Sequence, residues 1–182
     1  GAEARFFAAV SMTLELRGTL LICDSMNHRI RRLDYRTGIV TTVAGSGATG
    51  YRNGGFQDGP VATARFNRPQ GVAVAQDGTI IVSDLGNRRI RMVCPFTNTV
   101  STLAGSGERG DAEGVGGAAQ FSAPYGVTVS PDGSALFVAD CFSHKICRVE
   151  VATGAVTTLA GSGARGSADG VGGAAEFKHP TA

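Results

Sequence analysis

Short runs of residues that alternate between hydrophobic and polar, or that are rich in β-branched side chains, follow one another along most of the chain. In the middle third they lie at residues 71–75, 79–83, 89–93 and 99–104. Turn residues separate the runs, and no segment has the 3.6-residue periodicity of an amphipathic helix. The pattern predicts groups of four short antiparallel strands joined by hairpins.

The same group of strands occurs three times. The tetrapeptide AGSG begins at residues 44, 104 and 160, in each case 20 residues after an aspartate that ends a hydrophobic run. The repeated positions are the aspartates Asp24, Asp84 and Asp140, the turn residues Asn27, Asn87 and Ser143, and the phenylalanines Phe6, Phe66, Phe121 and Phe177. A constant unit with connectors of variable length indicates one structural module copied three times.

The third turn of each module predicts a particular backbone conformation. It ends in Gly38, Asn98 or Gly154. Glycine is replaced there only by asparagine, which tolerates a positive φ better than other side chains do. We therefore expect a left-handed residue at this position.

A module of four antiparallel strands corresponds to one blade of a β-propeller. We assign residues 1–182 to a single all-β propeller segment. Blade 1 spans about residues 6–44, blade 2 about 66–104 and blade 3 about 121–160, with glycine-rich connectors at 45–65, 105–120 and 161–176. Propeller rings close with four to eight blades, so three blades suggest half of a six-bladed ring. We expect a fragment of a longer protein that, when isolated, self-associates as a homodimer to close the ring.

Two segments, GVAVAQDGTIIVSDLGNRRIRMV and GVTVSPDGSALFVADCFSHKICRV, resemble NHL repeats, as does the run from Asp24 to Arg31. The stretch VTTLAGSGARGSADGVGGAAEF is similar to the long, glycine-rich linkers of one NHL subclass. The resemblance covers nearly the whole chain. It implies a β-propeller whose relatives serve as scaffolds, as RNA binders and occasionally as enzymes.

Composition and charge narrow the partners. Net charge is only +2, and 18% of the residues are charged, so the electrostatic footprint for nucleic acid or an anionic membrane is weak. No apolar stretch approaches the roughly 20 residues of a membrane span, and we expect no membrane association. The four cysteines form no CxxC pair and this segment has no signal-peptide pattern, which favours free thiols and an intracellular location.

Basic residues concentrate on the third strand of each module. The candidate interaction surface consists of Arg29, Arg31, Arg32, Arg88, Arg89, Arg91, Lys145 and Arg148. A positive face of this kind would suit single-stranded RNA, whereas charged strand edges that prevent aggregation are the alternative interpretation. The repeated aspartates precede Arg29, Arg89 and Lys145 by five residues each. This spacing predicts an ion pair across each hairpin.

Other motifs give little support for catalysis. G-x-G-x-x-G occurs three times, but no amphipathic helix follows it to hold a pyrophosphate. His28 and His144 occupy equivalent positions, but Arg88 replaces the third histidine that a zinc site would need. We expect no catalytic residue, metal or cofactor, with weak calcium binding by connector carboxylates as an alternative. Those carboxylates are Asp58, Asp111, Glu113 and Asp169.

The sequence therefore favours a non-catalytic protein-interaction scaffold whose protein partner is unknown. Single-stranded RNA binding through the basic third strands is the alternative. A metal-dependent lyase or lactonase-like enzyme, similar to the peptide-amidating lyases and gluconolactonases built on related propellers, is the third choice. Its ligands would have to come from blades outside this segment.

Overall fold

The computed structural model describes residues 4–15, 18–47, 50 and 52–182. Blade 1 consists of β1 (Ala9–Glu15), β2 (Thr19–Asp24), β3 (Arg29–Asp34) and β4 (Val40–Ala44). Blade 2 consists of β5 (Gly59–Pro60), β6 (Pro69–Val74), β7 (Ile80–Asp84), β8 (Arg89–Cys94) and β9 (Thr99–Ala104). Blade 3 consists of β10 (Gly114–Val115), β11 (Pro124–Val129), β12 (Ala135–Asp140), β13 (Lys145–Glu150) and β14 (Ala155–Ala160). Single-turn 3-10 helices lie at Ser25–Asn27, Leu85–Asn87, Gly116–Ala118, Cys141–Ser143 and Gly172–Ala174.

Each blade is one antiparallel sheet, which confirms the predicted all-β propeller segment. Strands that follow one another in sequence also lie side by side, in the order β1-β2-β3-β4 and its equivalents. The third turns have the expected left-handed backbone, with φ of 73° at Gly38, 53° at Asn98 and 71° at Gly154. The connector predicted at 45–65 includes residues 48, 49 and 51, which lie outside the described residues.

The number of strands in a blade differs from the prediction. Blades 2 and 3 have a fifth, two-residue strand at the outer edge, which comes from the preceding connector. Gly59 lies opposite Val100, and Gly114 lies opposite Val156. Two residues are too short to produce a hydrophobic period, so the sequence pattern could not reveal these strands. The connectors before blades 2 and 3 therefore link two blades and also supply one strand to the blade that follows.

The core lies between neighbouring blades. Between blades 1 and 2 it contains Leu21, Cys23 and Ile30 on one side and Val72, Ile80 and Val82 on the other. Between blades 2 and 3 it contains Ala73, Ile81 and Ile90 on one side and Leu136, Val138 and Val149 on the other. Because side chains alternate along a strand, Ile80 and Ile81 of β7 face different neighbours. Both faces of a middle blade are thus apolar, which explains its uninterrupted hydrophobic runs.

Two of the four repeated phenylalanines fill the space where a connector returns to the core, whereas Phe6 is 40% exposed and Phe177 is half-buried. Phe66 and Phe121 are fully buried. Phe66 packs against the glycine of the first AGSG, Gly45, whose φ is 105°. A Cβ atom at Gly45 would lie 2.7 Å from the carbonyl oxygen of His28, so only glycine fits there. This close approach explains why the glycine recurs in step with the phenylalanine.

The repeated aspartates hold the start of each blade in place. Asp84 is fully buried at the end of β7 and accepts hydrogen bonds from the backbone N–H of Asn67 and the side chain of Asn87, both at 2.8 Å. Asp24 and Asp140 do the same, with Phe7, Asn27, Ser122, Ala123 and Ser143 as donors. A buried carboxylate needs hydrogen-bond donors of this kind, because burying the charge without them costs on the order of several kcal/mol.

The predicted ion pairs at a spacing of five residues are wrong. Asp24 pairs with Arg31 at 3.0 Å and Asp84 with Arg91 at 2.7 Å, each seven residues further along the chain. The guanidinium groups of Arg29 and Arg89 extend instead to connector carbonyl oxygens.

In blade 3, Lys145 pairs with Asp111 of the connector at 2.6 Å and not with Asp140. Residues at spacings of five and seven share one face of the third strand, because side chains alternate. Spacing alone therefore could not distinguish the two possible partners.

We expect Phe66→Ala to lower the free energy of unfolding by about 3–5 kcal/mol, because it removes a fully buried ring from the joint between two blades. Phe96→Ala is the matched control, since Phe96 is 78% exposed and its loss should change stability by less than about 0.5 kcal/mol. Urea denaturation of both variants measures the difference. Equal effects of the two substitutions would contradict the packing described above.

Burial raises the pKa of Asp84 to about 6, although Arg91, Asn87 and Asn67 act in the opposite direction. The folded chain therefore holds this proton more tightly than the unfolded chain, in which the pKa is near 3.8. The contribution of Asp84 to the free energy of unfolding should consequently fall as pH rises from about 4 to about 6.

Chemical denaturation of the wild type and of Asp84→Asn across this range should show their stability difference shrinking by about 2–3 kcal/mol as pH rises. A difference that grows with pH would mean that Arg91 keeps Asp84 ionised throughout.

Candidate functional site

The basic residues at β3, β8 and β13, which are the third strands of the sequence prediction, make many contacts within the fold. Arg91 is fully buried. Its guanidinium donates to Asp58 at 2.5 Å and to Asp84 at 2.7 Å, and also to the carbonyl oxygens of Gln57 and Arg65. The group lies between two aromatic rings, those of Phe56 and Phe66. Arg91 therefore belongs to the joint between blade 2 and its connector.

The other seven basic residues are half-buried. Arg32 makes a two-point contact with Glu15 at 2.6 and 2.8 Å. Burial would raise the pKa of Glu15, but the hydrogen bonds from Arg32 and Thr19 outweigh this effect and lower it. Arg88 donates to the carbonyl oxygen of Gly107 at 3.1 Å.

Arg89 also contacts a connector residue, since its guanidinium carbon lies 3.9 Å from the centre of the Phe56 ring. Arg148 differs from these residues, since no side-chain hydrogen bond or ion pair joins it to another residue in the described part of the chain. The eight positions are thus distributed over three separate blades. A shared RNA-binding surface stays a prediction.

The histidines support turns and connectors. His28 is fully buried, and its φ of 55° is left-handed. Its Nδ1 accepts the backbone N–H of Arg68 at 3.0 Å, and its Nε2 lies 2.9 Å from the carbonyl oxygen of Gly50. These two contacts fit a neutral ring that donates from Nε2.

His144 repeats the first of these contacts with the backbone N–H of His179, at 3.2 Å. The ring centres of His144 and His179 are 4.7 Å apart. Within the described ranges, no three His, Cys, Asp or Glu side chains are grouped as metal ligands.

The connector carboxylates have different surroundings. Asp58 accepts from Arg91 and from the N–H and hydroxyl of Thr102, and Glu113 accepts the N–H of Thr158 at 2.6 Å. The hydrogen bond from Thr158 lowers the pKa of Glu113. Weak calcium binding stays a prediction for these positions.

The four cysteines are free thiols, as predicted, and three of them are buried. Burial raises the pKa of Cys147 to about 12. Cys94 is the last residue of β8 and is partly exposed, and hydrogen bonds from Thr97 and from the backbone lower its pKa.

A groove between blades 1 and 2 was not predicted. It lies beside the turns β6–β7 and β8–β9, and its volume is about 590 Å³. Its lining includes Glu15, Thr19, Arg32, Val74, Ala75, Gln76, Asp77, Gly78, Pro95 and Phe96. A smaller groove of about 250 Å³ occupies the corresponding position between blades 2 and 3. The sequence signal for this groove was Phe96, which stands in a tight turn where small polar residues are usual.

The first strands of the blades line a second, open cavity of about 660 Å³. Its polar groups are hydroxyls and an amide from Ser11, Thr13, Gln70, Tyr125 and Thr128. In the part of the chain that the structure covers, no helix is long and apolar enough to span a bilayer.

Comparison with known proteins identifies the repeat. The NHL repeat model matches residues 66–91. The chain is 36% identical over 136 residues to the Arabidopsis thaliana protein SUPPRESSOR OF QUENCHING 1, chloroplastic, covering 73% of this chain and 13% of that protein. It is 34% identical over 144 residues to human NHL repeat-containing protein 2, covering 77% of this chain and 20% of that protein. The chain spans a fifth or less of the length of these relatives.

Solved structures agree on the fold. A protein of unknown function from Bacteroides thetaiotaomicron matches 94% of this chain and 40% of its own, with a TM-score of 0.73 at 21% identity. A gluconolactonase from Xanthomonas campestris matches 78% of this chain and 43% of its own, with a TM-score of 0.54 at 17% identity. At these identities the likeness concerns the fold alone. Repeat match, relatives and blade geometry agree, and the chain belongs to the NHL-repeat family of β-propellers.

Proposed function

We propose that this segment is a non-catalytic protein-interaction scaffold, and that the groove between blades 1 and 2 holds an extended peptide segment of the partner. The observation that carries the proposal is the exposure of Phe96, 78%, at the edge of that groove. An exposed aromatic ring beside a concave surface is a common anchor in protein interfaces.

The groove offers an apolar floor with polar ends. Pro95, Val74 and Ala75 lie along it next to Phe96. The ion pair between Glu15 and Arg32 stands at the blade 1 side. Such a surface suits a peptide that inserts one large apolar side chain and makes hydrogen bonds at the rim.

The walls of the groove are held by local hydrogen bonds. In the β6–β7 turn, Asp77 accepts the backbone N–H of Thr79 at 2.8 Å and its hydroxyl at 3.0 Å. In the neighbouring β8–β9 turn, Thr97 and Thr99 share a hydrogen bond at 2.7 Å. A surface that is ordered before binding loses little entropy when the partner arrives. Burying the Phe96 ring then contributes on the order of 2–3 kcal/mol.

The basic third strands support RNA binding less well than the groove supports protein binding. Arg91 is buried, and Arg31, Arg32 and Lys145 are each paired with a carboxylate. A charge already neutralised within the fold contributes little to counterion release from a nucleic acid. The enzyme alternative draws only on the shared fold of structural neighbours such as the gluconolactonase.

A photo-crosslinking residue at position 96 should join the segment to a partner protein, and the same residue at position 142 should not. Phe142 is the matched control, because it is also exposed, at 52%, but lies in the Cys141–Ser143 turn outside the groove. With an identified partner, Phe96→Ser should weaken binding about tenfold or more in calorimetric titration, while melting temperature stays unchanged. Equal crosslinking at both positions, or equal affinity of the variant, would contradict the groove as the docking site.

Single-stranded RNA should bind only weakly, with a Kd of about 100 µM or above at 150 mM salt, as for non-specific electrostatic association. Fluorescence anisotropy with a labelled uridine-rich oligonucleotide measures this. Arg148→Glu tests the basic residue whose side chain makes no hydrogen bond or ion pair with another described residue. Submicromolar binding that is lost in Arg148→Glu and falls steeply with salt would favour RNA over protein as the partner.

A further inference from the structure

Among the described residues, the blade 1 sheet has one strand fewer than the sheets of the other two blades. Blades 2 and 3 each end in a fifth strand, supplied by the connector before them, whereas the blade 1 sheet has four strands and ends at β4. In blade 2 the fifth strand is Gly59–Pro60, which pairs with Thr99 and Val100 of β9. The positions equivalent to Thr99 and Val100 in blade 1 are Ile39 and Val40.

The third connector carries the missing element. Gly59 and Gly114, which begin the fifth strands of blades 2 and 3, each lie seven residues before a repeated phenylalanine. Gly170 lies seven residues before Phe177, but Gly170 and Val171 pair with no strand in the described part of the molecule. Val171 is 92% exposed. A strand without a sheet and a sheet without its last strand thus lie at opposite ends of the segment.

The carboxylate that precedes each fifth strand also differs between the third connector and the other two. One residue before each fifth strand stands an acid: Asp58 in the first connector and Glu113 in the second. Asp58 binds Arg91 and Thr102 of blade 2, and Glu113 binds Thr158 of blade 3. The equivalent Asp169 is exposed, and no hydrogen bond or ion pair joins it to another described residue.

Blade 1 has the matching cation. Arg31 occupies the position of Arg91 and pairs with Asp24, as Arg91 pairs with Asp84. The Nε of Arg91 also donates to Asp58, at 3.0 Å. The Nε of Arg31 is buried and has no hydrogen-bond partner among the residues that the structure describes. An unsatisfied guanidinium N–H costs free energy that a second carboxylate would recover.

The apolar faces at the two ends are also complementary. On β1, Val10, Met12 and Leu14 are 47%, 62% and 63% exposed on the face that, in blade 2, packs against the preceding blade. At the other end of the segment, Leu159 is 46% exposed and Phe137 is half-buried. Within the chain, the equivalent two faces are buried against each other between blades 1 and 2 and again between blades 2 and 3.

We propose that the third connector of one copy completes blade 1 of a second copy. Gly170 and Val171 add a fifth strand beside β4, and the Asp169 carboxylate accepts the Nε–H of Arg31 and the backbone N–H of Thr42, the equivalent of Thr102. Because this joint is head-to-tail, two copies make it twice, and their six blades close one ring. The joint is separate from the peptide groove, so either proposal can fail alone.

One consequence concerns the last six residues. Phe177–Ala182 lie beside β11 as β11 lies beside β6: Thr181 and Ala182 approach Gly126 as Tyr125 approaches Gly71. In sequence register, Phe6–Ser11 of a second copy belongs in the same place. One of the two segments must leave when the joint forms. Removing residues 177–182 should therefore strengthen self-association.

Sedimentation velocity on the full chain and on the chain without residues 177–182 tests the proposal. We expect both to reach twice the 18.6 kDa chain mass as concentration rises, with a dissociation constant at least tenfold lower for the shortened chain. A monomer at all concentrations in both forms would overturn it and point to a further blade of a longer polypeptide as the occupant. Open-ended polymers would overturn the closed ring.

Two substitutions test the contact between Asp169 and Arg31. Asp169→Lys removes a carboxylate that makes no hydrogen bond or ion pair with another described residue, so it should weaken the dimer at least tenfold without changing the melting temperature. Glu108→Lys makes the same charge change at an exposed position of the second connector and should leave the dimer intact. Arg31→Lys keeps a cation beside Asp24 and should weaken the dimer in the same direction. A dimer that responds equally to Asp169→Lys and Glu108→Lys would overturn the contact.

A disulfide between copies tests the strand pairing. By the register of Gly59 and Pro60 against β9, Val171 of one copy lies opposite Ile39 of the other. In a Cys94→Ser background, Val171→Cys together with Ile39→Cys should give covalent dimers on mild oxidation. Val171→Cys together with Phe96→Cys should not. Equal crosslinking of both pairs would contradict the proposed register.

Discussion

A buried carboxylate at the end of each second strand is the contact on which the blades depend. Asp84 has no exposed surface, yet three donors from three parts of the chain reach it, the backbone N–H of Asn67 and the side chains of Asn87 and Arg91. A charge in such a place is stable only if every lone pair is used. The carboxylate thereby fixes the returning connector, the 3-10 turn and the third strand relative to one another.

The connectors extend this local order from one blade to the next. Each of the first two connectors leaves the outer strand of one blade, pairs with the outer strand of the following blade, and places a phenylalanine in the core between them. Stability in such an array comes from neighbouring pairs of modules and not from distant contacts. The two end faces are consequently the incomplete parts of the segment.

Several features could be read from the sequence by physical reasoning alone. Strand alternation, turn residues and a fixed register of aspartate, AGSG and phenylalanine were sufficient for three antiparallel blades. These signals are local: they depend on the two-residue period of a strand and on the backbone freedom of glycine and asparagine. The function of the basic residues could not be read this way. A lysine or arginine on a strand edge has the same sequence signature whether it faces water or a buried carboxylate.

Tertiary structure decided the partners. The sequence spacing predicted an ion pair between Asp84 and Arg89, but only the crossing of the connector over blade 2, with Asp58 and Phe56, shows why Arg91 is the buried partner. The two-residue fifth strands, the contact between His144 and His179 and the groove beside Phe96 likewise arise where separate modules meet. The sequence by itself determined the module of four antiparallel strands, because local hydrogen bonds and the alternation of apolar and polar side chains define it. The joints depend on side chains far apart in the chain, whose distances only the packed blades establish.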